Sequence, residues 1–105
     1  MTEQQIIETV CNVYCVDFVT VNNTCRKIHI VEVRHAVAYF VKEYKKTALV
    51  SIGKLFTPIR HHSTVINSIK TYKNLIYSDA YTRNQAIKIR KILNKLNNNF
   101  NNIKI

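Results

Sequence analysis

The sequence predicts an all-α fold, a compact helical domain of about five to six helices, and two observations predict it. The 105 residues include one glycine and one proline, a composition that favours helices over a sandwich or a disordered chain. Apolar residues also recur at the spacing of one helix face along several segments. The length fits a single domain. We place this domain at residues 1–97 and expect the Asn-rich tail at 98–105 to be frayed.

The N-terminal segment predicts a first helix that starts at a capping box. In Thr2-x-x-Gln5 each side chain can accept a hydrogen bond from the backbone amide of the other residue. Apolar residues then follow at helical spacing through about residue 14, namely Ile6, Val10 and Val13, with Ile7 and Tyr14 beside them. The stretch from Val16 to Val21 fits a helical turn or an extended chain equally well, and we expect a loop at 22–24.

Two further helices are predicted before the proline. The first runs from about Val31 to Lys45 on an apolar stripe of Val33, Ala36, Val37, Phe40, Val41 and Tyr44. The second is short and can be capped by Thr47. Four of its apolar residues are predicted to face the core, namely Leu49, Ile52, Leu55 and Phe56. Gly53 is predicted at the middle of this helix, where glycine costs about 1 kcal/mol against alanine, so we expect another backbone segment to cross closely there. Pro58 ends the element, because the residue before a proline disfavours helical geometry.

The C-terminal half predicts two longer helices. The first runs from about His62 to Tyr77, with a core face of Val65, Ile66, Ile69, Tyr72 and Ile76. Asp79 or Ser78 can cap the second, from about Ala80 to Asn97, whose packing face is Ile89, Ile92, Leu93 and Leu96. Base stacking is the alternative to a core position for the aromatic residues, but single-strand binders usually display aromatics on a sheet. We therefore expect core positions for Tyr39, Phe40, Tyr44, Tyr72 and Tyr77.

The segment from Leu49 to Lys70 is the most informative part of the sequence. It combines a short apolar helix, a tight connection through Pro58, and a second helix that opens with small hydrogen-bonding side chains. This pattern is typical of a helix-turn-helix, whose second helix places its first turn against base edges.

Positive charge is concentrated in one part of the chain. The net charge is +10, yet residues 1–25 contain no Lys or Arg and three acidic residues. Residues 26–105 hold all 16 basic residues against the remaining three acidic ones, or +13. Such an excess attracts polyanions and speeds their capture. The alternative is that a basic face merely keeps the protein soluble.

Several other functions are disfavoured. Three scattered cysteines and no signal-peptide pattern predict a reduced, cytoplasmic setting at the nucleoid. No uncharged apolar run approaches the roughly 18–20 residues of a membrane span. Cys11-x3-Cys15 with Cys25-x3-His29 is a weak zinc pattern, because its spacing is not that of a Cys-x2-Cys knuckle, and buried thiols are the simpler interpretation. Dispersed acids argue against an enzyme, and a single glycine against a phosphate-cradling loop. We expect no catalysis, no cofactor and no metal.

Three ordered motifs resemble the C-terminal DNA-binding domain of the bacterial chromosomal replication initiator, DnaA. They are Arg34-x-x-Ala-x-Tyr-Phe-Val-Lys-Glu-Tyr, Leu49-Val-Ser-Ile-Gly-Lys-Leu-Phe and Arg60-x-His-Ser-Thr-Val-Ile. They are similar to the family's arginine-led helix ending in Lys/Arg-Glu-Leu, its Leu-Pro-x-Ile-Gly-x-x-Phe helix and its Arg-Asp-His-Thr-Thr-Val signature. The resemblance covers about Ile6 to Leu75 and implies a helix-turn-helix fold of the Trp-repressor and DnaA C-terminal-domain type.

The resemblance also implies a set of DNA contacts. The signature positions that enter the major groove correspond to Arg60, His61, His62, Ser63 and Thr64. Arg26 matches an arginine that the family inserts in the minor groove, which suits A·T-rich sequence because its narrow groove carries enhanced negative potential. Arg34 and Lys42 match basic positions that hold the phosphate backbone. Charge adds as further candidates Lys27, Lys45, Lys54, Lys70 and Lys73.

These residue types suit the contacts, and each has a simpler alternative. Ser63 and Thr64 are short enough to touch base edges or a thymine methyl, and Arg60 can bridge to guanine or to a phosphate. The alternative for the two hydroxyl residues is helix capping. The alternative for the arginine and for each lysine is an ordinary solvated charge.

The sequence departs from the family at the turn. His61 stands where the family has Asp, which can accept a hydrogen bond from a cytosine amino group. Neutral His can accept as well, whereas protonated His cannot. Thr57-Pro58-Ile59 replaces the family's Gly-Gly, and Val50 replaces a proline. These departures predict a changed site preference.

The expected function is sequence-preferring binding of double-stranded, A·T-rich DNA by a stand-alone regulator or accessory factor of replication or transcription. We expect a monomer or weak dimer that does not engage a membrane. The alternative is a protein-interaction module that keeps the fold and binds or inhibits an acidic partner or the initiator machinery.

Overall fold

The computed structural model describes residues 2–16, 28–46, 48–56 and 60–102, and at 28, 29 and 98–102 it describes the backbone alone. Within these ranges the protein is built from helices without a strand. They are α1 (Glu3–Tyr14), α2 (Ile28–Lys45), α3 (Leu49–Gly53), α4 (His62–Ser78) and α5 (Ala80–Asn102). The all-α prediction is confirmed. None of the described helices combines the length and apolar character needed to cross a bilayer.

Both ends of α1 are fixed by hydrogen bonds. The Thr2 hydroxyl accepts from the Gln5 N–H at 3.2 Å, and the Gln5 side-chain oxygen accepts from the Thr2 N–H at 2.8 Å, which confirms the predicted capping box. At the other end Cys15 adopts a left-handed conformation with φ of 58°. Its N–H then bonds to carbonyl groups of the last turn and ends the helix.

Predictions for α2 and α3 were wrong at three points. α2 begins at Ile28, three residues before the predicted start at Val31. Ala48, rather than the predicted Thr47, is the N-cap of α3, and it makes no side-chain cap hydrogen bond. Gly53 is the last residue of α3 and not its middle. The glycine therefore costs little helix stability and marks the point where the chain leaves the helix.

The last helix is longer than predicted. α5 continues to Asn102 instead of ending near Asn97, so residues 98–102 of the predicted frayed tail are helical, while 103–105 lie outside the described residues. The asparagine-rich stretch contains neither glycine nor proline, and asparagine by itself is a weak helix former rather than a helix breaker. The predicted boundary of the domain at residue 97 stays a prediction.

The core forms where the predicted apolar stripes meet. Its fully buried members are Ile6, Val10, Val33, Val37, Phe40, Val41, Ile52, Val65, Tyr72, Ile89 and Leu93. Ile92, predicted to be in the core, is 42% exposed, and Tyr77 is 75% exposed. α5 instead packs along a face of Thr82, Ala86, Ile89 and Leu93. Ile92 falls one residue, or about 100°, away from that face.

A polar cluster lies between α1, α2, α4 and α5. The hydroxyl oxygens of Tyr14 and Tyr72 are 3.0 Å apart. The hydroxyl of buried Thr82 is 3.0 Å from a carboxylate oxygen of Glu32 and 2.7 Å from one of Asp79. Burial raises the pKa of both tyrosines, which therefore stay protonated in the working pH range. These hydroxyl groups join the four helices at one place.

Asp79 caps α5, which confirms one of the two predicted alternatives. Its carboxylate accepts from the N–H of Thr82 at 3.4 Å as well as from the Thr82 hydroxyl. The hydrogen bond from that hydroxyl is the largest influence that lowers the pKa of Asp79. Ser78, the other predicted cap, instead donates its hydroxyl to the carbonyl of Asn74 at 3.0 Å.

Candidate nucleic-acid interface

A close contact between Gly53 and Arg60 fixes how the chain passes from α3 to α4. The Arg60 N–H donates to the Gly53 carbonyl oxygen at 2.9 Å. A β-carbon added at position 53 would collide with the Arg60 carbonyl oxygen. Any residue other than glycine would therefore push the two segments apart. The predicted backbone crossing at Gly53 is confirmed, and it holds the residue that directly precedes the opening turn of α4.

The opening turn of α4, residues 61–64, is exposed. His61 is the N-cap, with extended backbone (φ −68°, ψ 151°) and no side-chain cap hydrogen bond. His61, His62, Ser63 and Thr64 all face solvent. Because the cap position belongs to His61, capping no longer explains Ser63 and Thr64. The first N–H groups of a helix without a side-chain cap can be satisfied by a ligand, and the helix dipole favours an anionic one.

Side-chain contacts order the two histidines of this turn. The Nδ1 atom of His61 lies 3.1 Å from the hydroxyl oxygen of Ser63. The rings of His61 and His62 are packed with their centres 4.5 Å apart. His61 therefore has its Nδ1 atom engaged by Ser63.

A shallow groove brings Lys54 and Arg60 beside the opening turn. Its lining consists of Val50, Lys54, Arg60, His61 and His62. Lys54 follows directly after α3 and is exposed. The structure thus gathers on one surface four of the residues predicted from sequence to contact DNA.

A cleft of about 100 Å³ lies between α2 and α4. It is lined by Val31, Arg34, His35, Ala38, Phe56, Arg60, Thr64, Val65 and Ser68. The guanidinium carbon of Arg60 lies 6.0 Å from the centre of the Phe56 ring. The Nε atom of this guanidinium group is buried and has no hydrogen-bond partner among the described residues. The cleft therefore joins Arg34, Arg60 and Thr64, which the sequence assigned separately.

His35 is the cleft residue that the sequence analysis missed. Its Nδ1 atom is buried without a hydrogen-bond partner in the described structure. Burial, and then the charges of Arg34 and Arg60, lower the pKa of this histidine below its ordinary value. A signal was available, because Val31, Arg34, His35 and Ala38 are spaced to share one helix face. That face points to the cleft, whereas the apolar stripe of α2 points to the core.

The remaining predicted phosphate contacts that the structure describes lie apart from the groove and the cleft. Lys42 and Lys45 are in the last turn of α2, where their positive charges also interact favourably with the negative end of the helix dipole. Lys70 is exposed on α4. None of these three lines the groove or the cleft. Arg26 and Lys27 lie outside the described residues, and their assignments stay predictions.

The acidic residues are distributed so that the helix-turn-helix surface is positive. Asp79 is the last acidic residue of the sequence and the sole one after residue 43. Neither α4 nor α5 contains an acidic residue. Within the described ranges, no set of three His, Cys, Asp or Glu side chains is placed to hold a metal. Cys11 is buried and Cys15 exposed, while Cys25 lies outside the described residues.

A short helix, a glycine-fixed connection and a second helix with an exposed, positively flanked first turn define a helix-turn-helix domain of the DNA-binding class. The comparison with known families identifies which one. Residues 4–71 match the model of the bacterial dnaA protein helix-turn-helix, so the chain belongs to that family.

Curated relatives agree with this family. The chromosomal replication initiator protein DnaA of Flavobacterium psychrophilum is 32% identical over 74 residues, which are 70% of this chain and 15% of the relative. The DnaA of Mycoplasma pneumoniae is 35% identical over 74 residues, 70% of this chain and 16% of the relative. The DnaA of Bacteroides thetaiotaomicron is 26% identical over 95 residues, 90% of this chain and 20% of the relative. The chain thus spans a fifth or less of the length of these relatives.

Proposed function

We propose that the protein binds double-stranded DNA with a sequence preference and acts as a regulator or accessory factor of replication or transcription. The observation that carries this proposal is the exposure of all four residues of the opening turn of α4 beside Lys54 and Arg60. The proposed mode of binding places this turn in the major groove. After residue 43 the sequence contains one acidic residue, Asp79, so the surface around the turn is positive. This positive charge supports a polyanion as the partner.

Different residues have different roles in this proposal. Arg60, His62, Ser63 and Thr64 contact base edges, or a phosphate in the case of Arg60. The phosphate backbone is held by Arg34, Lys42, Lys45, Lys54 and Lys70. Arg26, with Lys27 next to it, reaches the minor groove of an A·T-rich segment.

His61 changes the base preference in a direction that chemistry specifies. When the Ser63 hydroxyl donates to Nδ1 of His61, neutral His61 carries its proton on Nε2 and presents a donor to the groove. At the major-groove edge guanine offers two acceptors, N7 and O6, and thymine offers O4, whereas cytosine offers an amino donor alone and adenine an amino donor beside its N7 acceptor. We propose that His61 selects guanine or thymine at the position where an acidic residue would select cytosine or adenine.

A single helix-turn-helix covers a small area of DNA. Tight binding by such a module usually needs a dimer or several adjacent sites. We propose a monomer or weak dimer that binds clustered sites.

Gel shifts with A·T-rich and random duplexes at several salt concentrations test the proposal. Each neutralised phosphate should add about 0.9 to the slope of log affinity against log salt. Lys70→Ala should lower affinity for every duplex alike and reduce that slope by about one contact. Ser63→Ala should instead reduce the difference between preferred and random duplexes, to which a base contact contributes about 1–3 kcal/mol.

The matched control is Lys88→Ala, since Lys88 is an exposed lysine on α5, which lines neither the groove nor the cleft. We expect a smaller loss of affinity for this variant than for Lys70→Ala. An equal loss for all duplexes in every variant would refute base reading by the opening turn. Undetectable binding at micromolar protein would favour a protein-interaction module instead.

A further inference from the structure

The cleft between α2 and α4 brings cationic and hydrogen-bonding groups together from three parts of the chain. Arg34 and His35 come from α2, Arg60 precedes α4, and the hydroxyl residues Thr64 and Ser68 lie on α4. The other lining residues are apolar, and no acidic side chain is among the described residues that line this cleft. A small anion is the ligand that such a lining favours.

Two buried nitrogen atoms of the cleft, one on Arg60 and one on His35, have no hydrogen-bond partner among the described residues. They are Nε of Arg60, which is always a donor, and Nδ1 of His35, which is a donor when the ring is protonated. Buried polar atoms of folded proteins nearly always have a hydrogen-bond partner. A ligand that supplies acceptor oxygens would complete both. The cleft, at about 100 Å³, has room for one compact group.

A phosphate group meets these requirements. It is a compact anion with several acceptor oxygens, and arginine binds phosphate through charge-assisted hydrogen bonds. We propose that the cleft binds one phosphate group and that His35 takes up a proton from solvent when the phosphate enters. This inference rests on the proposed function, because a phosphate of the DNA backbone is the source that a bound duplex would supply. A free phosphate shares the same chemistry.

Proton uptake follows from the charges that face His35. In the free protein, burial and the charges of Arg34 and Arg60 hold the pKa of His35 low, so the ring is neutral near pH 7. Phe56, Thr64 and Ser68 on the other walls do not titrate. An anion beside the guanidinium groups offsets their repulsion and accepts a hydrogen bond from the imidazolium, so the pKa of His35 rises in the complex.

The sign of the pH dependence follows from linkage. The bound state has the higher pKa, so binding takes up a proton at pH values between the free and bound pKa of His35. In that window affinity increases as the pH falls, by at most about tenfold per pH unit for one proton. Above the bound pKa the dependence on pH disappears.

The first test compares duplex affinity between pH 5.5 and 8 for the natural protein and for His35→Gln, which keeps a polar amide but does not titrate. We expect the affinity of the natural protein to increase towards low pH. In His35→Gln the slope of log affinity against pH should be smaller, by up to one proton taken up per binding event. Because the opening turn of α4 carries two further histidines, the same pair is compared in a His61→Gln, His62→Gln background, where the difference should persist. Equal slopes with and without His35 in both backgrounds would overturn the proposal.

The second test needs no variant. NMR titration of the His35 ring gives its pKa in the free protein, with inorganic phosphate, and with a duplex. A rise with the duplex alone assigns the site to the DNA backbone, and a rise with inorganic phosphate as well assigns a general phosphate site. No rise with either ligand overturns the inference. Absence of duplex binding at every pH refutes the proposed function separately, and the inorganic phosphate titration then decides the cleft.

Discussion

Two polar regions between the helices differ in how their hydrogen-bonding groups are satisfied. In the cluster at Tyr14, Tyr72 and Thr82, each buried hydroxyl has a partner within the chain, at 2.7 to 3.0 Å, and the one buried atom of the cluster without a partner in the described structure is Oε2 of Glu32. In the cleft between α2 and α4, buried nitrogen atoms of His35 and Arg60 have no partner in the described structure. Polar groups that bond to each other stabilise the fold, whereas polar groups without partners keep their capacity for a ligand. Substitutions in the first region should therefore affect stability, and those in the second should affect binding.

The largest stability effect is expected at the centre of the polar cluster of Tyr14, Tyr72 and Thr82. Tyr72 is fully buried, and truncation of a buried aromatic side chain removes its packing and leaves a cavity. Tyr72→Ala should lower the free energy of unfolding by about 3–5 kcal/mol, measured by chemical denaturation. Tyr77→Ala is the matched control on the same helix, because Tyr77 is 75% exposed. A similar loss for both variants would contradict the assigned core.

A smaller loss is expected where the chain approaches the cleft. Gly53→Ala places a methyl group against the Arg60 carbonyl oxygen, so the connection before α4 must shift. We expect a loss of about 1–3 kcal/mol in the free energy of unfolding, together with weaker DNA binding. Ser51→Ala, at an exposed position of the same helix, should change neither. Stabilisation by Gly53→Ala, as helix propensity alone would predict, would show that the crossing is not close.

The contribution of the hydrogen bond between the Tyr14 and Tyr72 hydroxyl groups can be measured separately from the packing of their rings. Tyr14→Phe keeps the ring but deprives the Tyr72 hydroxyl of the partner at 3.0 Å, so we expect a loss of about 1–3 kcal/mol in the free energy of unfolding. Replacement of both tyrosines by phenylalanine removes the buried polar groups together and should cost less than the two single losses added. Simple additivity in this double-mutant cycle would indicate that the hydroxyl groups do not interact.

The smallest stability effect is expected in the open cleft. His35→Leu replaces a half-buried ring whose Nδ1 atom has no partner among the residues that the structure describes, so the free energy of unfolding should change by no more than about 0.5 kcal/mol or increase. Duplex affinity at pH 6 should fall nevertheless. A loss of stability comparable to that of Tyr14→Phe would show that His35 supports the fold, and the contrast between the two regions would then be wrong.

The helices could be predicted from sequence because their apolar stripes meet in one core. Val37 and Leu93 lie on the predicted apolar stripes of their helices, and both are fully buried. Ile92 and Tyr77 could not be placed, because periodicity gives a face only to within a residue and the neighbouring helices decide which edge is covered. The length of α5 was underestimated because asparagine was interpreted as a stop although no breaker is present.

The candidate site could be predicted in part. The opening turn of α4 was found because small polar side chains after a proline form a local pattern in the sequence. The cleft was not found, since it depends on how close Arg60 comes to α2, and this proximity is set by the Gly53 contact across the turn. Val31, Arg34 and Ala38 mark the helix face of His35 in the sequence, but the opposite wall of the cleft comes from Phe56, Arg60 and Thr64, more than twenty positions away.

Base reading by the opening turn of α4 is tested most directly by selection of bound duplexes from a random pool. The selection is run with the natural protein and with His61→Asp, and the enriched sequences are compared. We expect each protein to enrich one motif, the two motifs differing at one base pair, with guanine or thymine selected by His61 and cytosine or adenine by the aspartate. Enrichment of no motif, or of the same motif by both proteins, would contradict the assignment.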